Sequence, residues 1–448
     1  MAKVGVTSYN NISKANLKPT MMFVDMNSFF PSCEQQVNYW LRDRPVGVCV
    51  YTGVDGSVIA LSKTAKAMGI KAGKLPEIMR RWPQFVPLET NPDRYREFHK
   101  GIIKVLKSFS EDVIPYSIDE AAVDFSSYQL IYKDMMQLAK EIKAKIKKDV
   151  GDYLTCSIGI APNEFLAKLA TDLQKPDGLV MISPDNIDEI LSNLKLTDLP
   201  GISKNMAARL VLGGITSPLQ LRHTSPVILK RVCKSIVGEF WHYRLNFMEV
   251  DMQMDKNYRS MQAMRQISAD QRASVDTLKD ILYALCLQLE KRMMTQEVFC
   301  HSLGFSCSYK AGYSWGNSAR TEMPVQGGAQ LYDAIMQLIK QAEDGNGEGV
   351  LNTEVSRMSI WVANFVQNGL QQYSMFESTA KQDKLRKTVY NIRDKFGFEK
   401  IQSGGEKLDK PVMKDVIGFG SIKDLARDVY EDRKQAPGIS NPSDLWFE

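Results

Sequence analysis

At 448 residues and 44% hydrophobic composition, the chain can bury several cores, and roughly two to four domains are expected. Its net charge of +5 divides as +6 over residues 1–250 and −1 over 251–448, which is compatible with a nucleic-acid partner without establishing one. No run approaches the roughly 18 apolar residues of a bilayer span, the first twenty residues lack a signal-peptide core, and the seven cysteines form no C-x-x-C pair, so the sequence reads as a cytoplasmic protein with reduced thiols and no membrane partner.

The first strand is predicted at Met21 to Asp25, an apolar run ending in a carboxylate. Two more strands are predicted within 46–61, around the turn residues Gly53 to Gly56, followed by a helix from Lys63 to Met68 that stops at Gly69. Tyr95, Phe98, Ile102, Val105 and Leu106 recur at helical spacing between Pro92 and Phe109. Strands are expected at Val113 to Ile118 and Ala121 to Phe125, with Asp119-Glu120 between them. A helix over 129–149, a strand at Leu154 to Ile160 and a helix over 163–174 complete an α+β sheet domain with helices expected on one face.

Residues 186–250 read as all-helical, and 257–366 as mixed strands and helices closing on a half-buried strand from Ser356 to Phe365. Glu343 to Gly349 reads as a loop. Beyond 366 a loosely attached tail is expected, with a basic helix-like stretch at 381–395. The four histidines cluster neither with one another nor with a nucleophile and are read as structural.

Asp25 ends one strand and Asp119-Glu120 sits in a hairpin 94 residues later, so the three carboxylates can converge on one spot. Taken singly, such residues are ordinarily turn or cap groups. Together they offer the hard oxygen donors that two divalent cations, roughly 3.5–4 Å apart, require in phosphoryl chemistry, and the Met26 carbonyl is a further donor.

The string Asp25-Met26-Asn27-Ser28-Phe29-Phe30 resembles the opening motif of Y-family DNA polymerases, and Tyr116-Ser117-Ile118-Asp119-Glu120-Ala121 resembles that family's second metal motif. The stretch from Ser57 through Lys63 and Lys66 to Gly73 is similar to the fingers segment of the UmuC branch, and Ser157 to Asn163, Lys168 and Lys175-Pro-Asp-Gly178 continue the likeness in order. The resemblance covers about residues 20–376 and implies an α+β right-hand polymerase with a mixed α/β little-finger domain. The palm is expected over 1–28 and 92–182, fingers over 29–91, a helical thumb over 183–250, the little finger over 257–366 and a tail over 367–448.

By the same resemblance, Asp25, Asp119 and Glu120 are the catalytic and metal carboxylates, with Met26 as a backbone ligand. Two Mg²⁺ ions, or Mn²⁺, are implied. Phe30 matches the steric gate against the ribose 2′-hydroxyl, Phe29 its neighbour, and Lys66 and Lys175 the holders of the incoming triphosphate. Asn27 stands where many relatives have Asp and is not counted as a ligand, and Lys63 keeps two readings, site residue or solvated surface.

Leu199-Pro-Gly-Ile-Ser203 before a helix reads as a helix-hairpin-helix, in which Gly201, Ser203 and Lys204 approach a DNA phosphate. Arg259 and Arg320 look like the little-finger phosphate contacts of relatives. Gln372-Tyr373-Ser374-Met375-Phe376 resembles the bacterial sliding-clamp peptide, with Gln372, Met375 and Phe376 as anchors.

The implied function is error-prone translesion DNA synthesis in DNA damage tolerance and SOS mutagenesis by a nucleoid-associated enzyme. Its implied partners are primer–template DNA, dNTPs, the clamp, and a recombinase filament or accessory subunit. A palm-fold nucleotide cyclase and a non-catalytic protein that binds DNA ends or clamps are the alternatives.

Overall fold

A computed structural model describes residues 16–53, 56–250, 259–346, 349–367 and 385–392. They fall into two units, one reaching residue 250 and the other beginning at 259, and each is described by itself.

In the first unit β1 (Met21–Met26) runs into α1 (Phe29–Val37). A small sheet follows, built from β2 (Val46–Cys49), β3 (Ser57–Leu61), β4 (Gly73–Lys74) and β5 (Val86–Glu89) in the order β4-β3-β2-β5, with α2 (Lys63–Ala67) and α3 (Leu75–Arg81) alongside. Its apolar face closes its own core of Val58, Leu61, Ile70, Leu75, Ile78 and Phe85. Ser62 starts α2 by accepting the Ala65 N–H at 3.2 Å, and Gly69, at φ 77°, supplies the left-handed turn after it.

The chain then forms α4 (Pro92–Lys107), β6 (Val113–Pro115), β7 (Glu120–Asp124), α5 (Met135–Asp149), β8 (Cys156–Ala161), α6 (Glu164–Leu173) and β9 (Leu179–Met181). These strands join β1 in the order β6-β7-β1-β8-β9. Alternation along β1 sends Met22, Val24 and Met26 into a core with α4 and α5, and Phe23 into a second core with α6. Helices therefore cover both faces of the sheet, not one as the sequence suggests; the strands are too continuously apolar to leave a solvated face.

The helix expected from 129 starts only at Met135, because Asp134 accepts the Met136 and Gln137 N–H groups at 2.9 and 3.0 Å. The residues before it form a short 3₁₀ turn and a loop that leaves Leu130 and Ile131 exposed. Strand β6 ends at Pro115, three residues short of the Ile118 end expected for it.

Helices α7 (Ile187–Ser192), α8 (Lys204–Leu212), α9 (Pro218–His223), α10 (Pro226–Cys233) and α11 (Val237–Leu245) confirm the helical reading of 186–250. Leu199, Ile202, Leu210, Leu229 and Trp241 share the core of α6, so the helical region is continuous with the sheet domain.

The second unit holds β10 (Ser260–Gln266), α12 (Ala269–Arg272), α13 (Val275–Thr295), β11 (Val298–Tyr309), β12 (Ser314–Val325), α14 (Gly328–Asn346) and β13 (Val355–Gln367). The sheet order is β10-β13-β11-β12, and α13 and α14 bury one face. Helix α14 runs through the first residues of the acidic stretch read as a loop, whose remainder includes residues outside those described. Part of the expected loose tail is held: residues 385–392 are helical, Tyr390 and Thr295 hydroxyls lie 2.9 Å apart, and Arg386 donates to Gln326 at 3.0 Å.

Candidate active site

β1 and β7 are antiparallel, with Asp25 directly opposite Glu120. Both sit on the side of the sheet that faces α6, since Phe23 and Ala122, two residues along on each strand, pack into the α6 core. Lys168 projects from α6 onto this pair: its Nζ donates to Asp25 Oδ2 at 2.8 Å and also to Glu120. The helix is close because β8 carries Gly159, where a Cβ would lie 2.0 Å from the Ala167 carbonyl oxygen.

Asp119 is brought alongside by the backbone. The Met26 N–H donates to the Asp119 carbonyl at 2.9 Å, and the Tyr116 and Ser117 N–H groups both donate to the Glu120 carbonyl. The turn is thereby closed before the strand starts, and Glu120 becomes its first residue. Asp119 Oδ1 accepts the Ser117 hydroxyl at 2.6 Å. From behind, buried His99 places Nδ1 2.8 Å from the Ile118 carbonyl; the carbonyl only accepts, so Nδ1 carries the hydrogen.

The electrostatics follow this geometry. Burial pushes Asp25 upward, but the Lys168 and Lys175 ammonium groups outweigh it and hold the carboxyl below its usual range. Burial raises Asp119, against the Ser117 hydrogen bond and with help from the Asp25 charge. Burial also raises Glu120, to about 7; Lys168 opposes the rise, and the charges of Asp25 and Asp119 add to it. Burial lowers Lys168, yet Asp25 and Glu120 more than compensate and its net shift is upward.

Among the described residues, no three acidic, histidine or cysteine side chains are already grouped tightly enough to hold a metal. Asp25 and Glu120 are joined through Lys168, while Asp119 turns to Ser117. The donor set nonetheless fits a divalent cation: the Asp25 and Asp119 charges raise the proton affinity of Glu120, and an ammonium already stands in for a cation between Asp25 and Glu120.

Lys175 Nζ lies 2.8 Å from Asp25 Oδ2 and 2.7 Å from Asp172. Lys66 is exposed on α2, and partial desolvation and then the charge of Lys175 lower its ammonium, while Asp25 and Asp119 oppose the shift. Lys63 is partly buried with its Nζ 5.7 Å from the centre of the Tyr153 ring, so it is not a freely solvated lysine. Asn27 is buried and spends its amide inside the fold, on Ser157 and on the Asp177 N–H. Phe29 and Phe30 are both core aromatics, and the Phe30 ring stacks on Tyr95 with centroids 4.5 Å apart at 22°.

Gly201 holds φ 80°, Ser203 caps α8 by accepting the Met206 N–H at 3.3 Å, and Lys204 is exposed. In the second unit Arg259 precedes β10 and is exposed, and Arg320 is exposed on β12, opposite Ser302. The peptide Gln372–Phe376 lies outside the described residues.

Two family models match the chain: the impB/mucB/samB family over residues 24–172 and its C-terminal domain over 258–375. The chain belongs to the Y family of DNA polymerases. Similar Y-family relatives include the DNA polymerase IV of Pelotomaculum thermopropionicum, 28% identical over 391 residues (85% of this chain, 94% of the relative). DNA polymerase IV 1 of Halalkalibacterium halodurans is 27% identical over 392 residues, covering 86% of this chain and 92% of the relative. In fold the chain resembles a Y-family DNA polymerase chimera of Dbh and Dpo4, with a TM-score of 0.62 at 20% identity over 78% of this chain and 99% of that one. Neither the cyclase nor the non-catalytic alternative is favoured. Among the described residues no helix is long and apolar enough to cross a membrane, and all seven cysteines are free and buried.

Sequence reasoning assigned no role to Lys168, His99 or Tyr95. The signal for Lys168 was present: a lone charge within the apolar run Phe165-Leu-Ala-Lys-Leu-Ala170 of a buried helix requires a partner. His99 bonds a carbonyl and Tyr95 stacks on a ring, and neither leaves a mark on spacing.

Proposed function

We propose that the protein is a DNA-directed DNA polymerase of the translesion type, adding deoxynucleotides to a primer 3′ end in DNA damage tolerance. The observation that carries this reading is the opposed Asp25–Glu120 pair with Asp119 beside it, in a chain whose two halves both match the family. The reaction joins the primer 3′ oxygen to the α-phosphorus, breaks the bond to the β-phosphate, and releases pyrophosphate and the hydroxyl proton.

Asp25, Asp119, Glu120 and the Met26 carbonyl would hold two divalent cations, Mg²⁺ in the first instance with Mn²⁺ as a substitute. When bound, such ions supply Lewis-acid stabilisation of the charge on the reacting phosphate. Lys66 and Lys175 neutralise triphosphate charge as mobile point cations. Phe30, locked against Tyr95, serves as the wall that excludes a ribose 2′-hydroxyl, with Phe29 packed behind it.

DNA is held by its backbone, without sequence preference. Gly201, Ser203 and Lys204 serve at the hairpin before α8, and Arg259 and Arg320 on the second unit's sheet. The peptide of Gln372, Met375 and Phe376 ties the enzyme to a bacterial sliding clamp, which raises its local concentration at primer ends. The palm is assigned to 1–28 and 92–182, the fingers to 29–91, the thumb to 183–250 and the little finger to 257–366.

Primer extension on a template with Mg²⁺ and four dNTPs tests this reading. Template-directed products, sensitive to the Asp119→Ala substitution, are expected. Cyclic nucleotide formed from a triphosphate without DNA, and no extension, would contradict it.

A further inference from the structure

Lys175 sits in residues 174–178, a connection between α6 and β9 with no regular structure of its own. A lysine on such a connection reaches a fixed point only if its backbone is held. Here the hold is unusually complete. The Asp177 N–H donates to Asn27 Oδ1 at 2.7 Å, and the Gly178 N–H donates to Ser157 Oγ at 3.2 Å. Lys143, from α5, donates to the carbonyls of Asp177 and Gly178 at 2.6 and 3.2 Å. Its Nζ also pairs with the Asp177 carboxylate at 2.9 Å. Gly178 has no room for a side chain, since a Cβ would lie 1.6 Å from the Gln174 carbonyl oxygen.

Asn27 is the inner jaw of this grip. It follows Asp25 by two residues and is only 6% exposed. Its Nδ2 donates to Ser157 Oγ at 3.0 Å, and its Oδ1 accepts from Thr155 as well as from Asp177. Its backbone N–H is bound to the Thr155 carbonyl at 2.8 Å. One amide thus connects the end of β1, which carries Asp25, to the backbone two residues beyond Lys175. Lys143 closes the grip from the other helix layer, neutralising Asp177 and satisfying two carbonyls at once.

We propose that Asn27 and Lys143 are positioning residues that clamp residues 175–178 so that Lys175 meets the phosphates of the incoming nucleotide. The inference rests on the reading of Lys175 as a triphosphate-holding lysine. The group at 27 acts through hydrogen bonds to the connection, and one amide supplies both the donor and the acceptor they need. An aspartate there retains the acceptor for the Asp177 N–H, and the Ser157 hydroxyl can donate to it in turn.

The test is steady-state single-nucleotide insertion by the full chain on a primer–template with Mg²⁺, separating the dNTP KM from kcat and measuring DNA affinity alongside. Lys175→Ala is expected to raise the dNTP KM. Asn27→Ala and Lys143→Ala are expected to raise it roughly tenfold, the worth of one or two hydrogen bonds, with DNA affinity unchanged. Asn27→Asp should restore near-native KM, and Lys143→Ala combined with Lys175→Ala should be no worse than Lys175→Ala alone.

Lys143 is not one of the core residues of its helix, which are Leu138, Ala139, Ile142 and Ile146, so its variant carries the test if Asn27→Ala does not fold. A raised KM in Lys175→Ala with native KM in Lys143→Ala overturns the clamp but leaves the lysine reading intact. Multiplied effects in the double variant also overturn the clamp. A native KM in Lys175→Ala overturns the reading beneath it, and the clamp's role with it.

Discussion

Asp25 and Glu120 occupy directly opposed positions on antiparallel strands, and one ammonium, that of Lys168, lies on both. Two carboxylates held this close on a buried sheet face repel each other unless a cation stands by. Lys168 is that cation in the protein alone, and it holds the two carboxylates together.

Lys168→Met keeps the aliphatic stem and removes the charge. Without divalent ions it should destabilise the fold by about 2 kcal/mol, below the range for fully buried pairs because Glu120 is 27% exposed. Mg²⁺ should recover part of that loss, since a cation bound between the carboxylates replaces the missing ammonium. Thermal unfolding with EDTA and with Mg²⁺ checks this; an equal melting temperature for variant and native protein in EDTA contradicts it.

Phe30→Ala removes the proposed wall against the ribose 2′-hydroxyl and the stack on Tyr95 together. Ribonucleotide insertion relative to deoxynucleotide insertion should rise, and stability should fall by about 3 kcal/mol, as for other buried aromatics. Tyr95→Phe retains the ring and should leave sugar discrimination unchanged, whereas Tyr95→Leu should relax it. Single-nucleotide insertion of matched rNTP and dNTP pairs measures the effect.

His99 supports the Asp119-Glu120 turn through the Ile118 carbonyl, and burial pushes its imidazole down to about 4, with the carbonyl contact opposing. The unfolded chain binds this proton near 6.5 and the folded chain only near 4. Its contribution is thus fully present above pH 6.5 and is lost as the pH falls towards 4, up to about 3 kcal/mol. His99→Asn, which keeps a donor near the Nδ1 position, should show a flatter fall in stability between pH 6.5 and 4 than the native protein in denaturant titrations.

Glu164 gives the opposite slope. Burial and then the Glu249 charge raise its carboxyl to about 8 against the pull of Arg244, and the Tyr116 hydroxyl donates to it. An acid raised in the folded state loses its contribution as pH rises from its unfolded value through about 8. Glu164→Gln mimics the protonated form, so it should melt at or above the native temperature at pH 8.5 and lose that advantage near pH 5.

Much of this site was legible in the sequence. Met21 to Asp25 is an apolar run of strand length that ends in a carboxylate, and the hairpin around Asp119-Glu120 can bring its acids alongside it. Two features were not readable. The second helix layer depends on which side of β8 is covered, and a continuous apolar run such as Cys156–Ala161 carries no sidedness. The partners of Lys168, Asn27 and Lys143 are the other: Lys168 signals that it needs a partner but not which, and it meets Asp25 at a separation of 143 residues. Spacing reports on neighbours along one element and is blind to such pairs.

On the proposed function, Asp25, at the end of β1, carries nucleotidyl transfer rather than merely closing a strand. The most direct test is single-turnover insertion of one dNTP by the Asp25→Asn variant, with DNA binding followed by anisotropy in the same buffer. Insertion is expected to fall on the order of 100-fold or more with DNA binding intact. Insertion at the native rate by Asp25→Asn would contradict it.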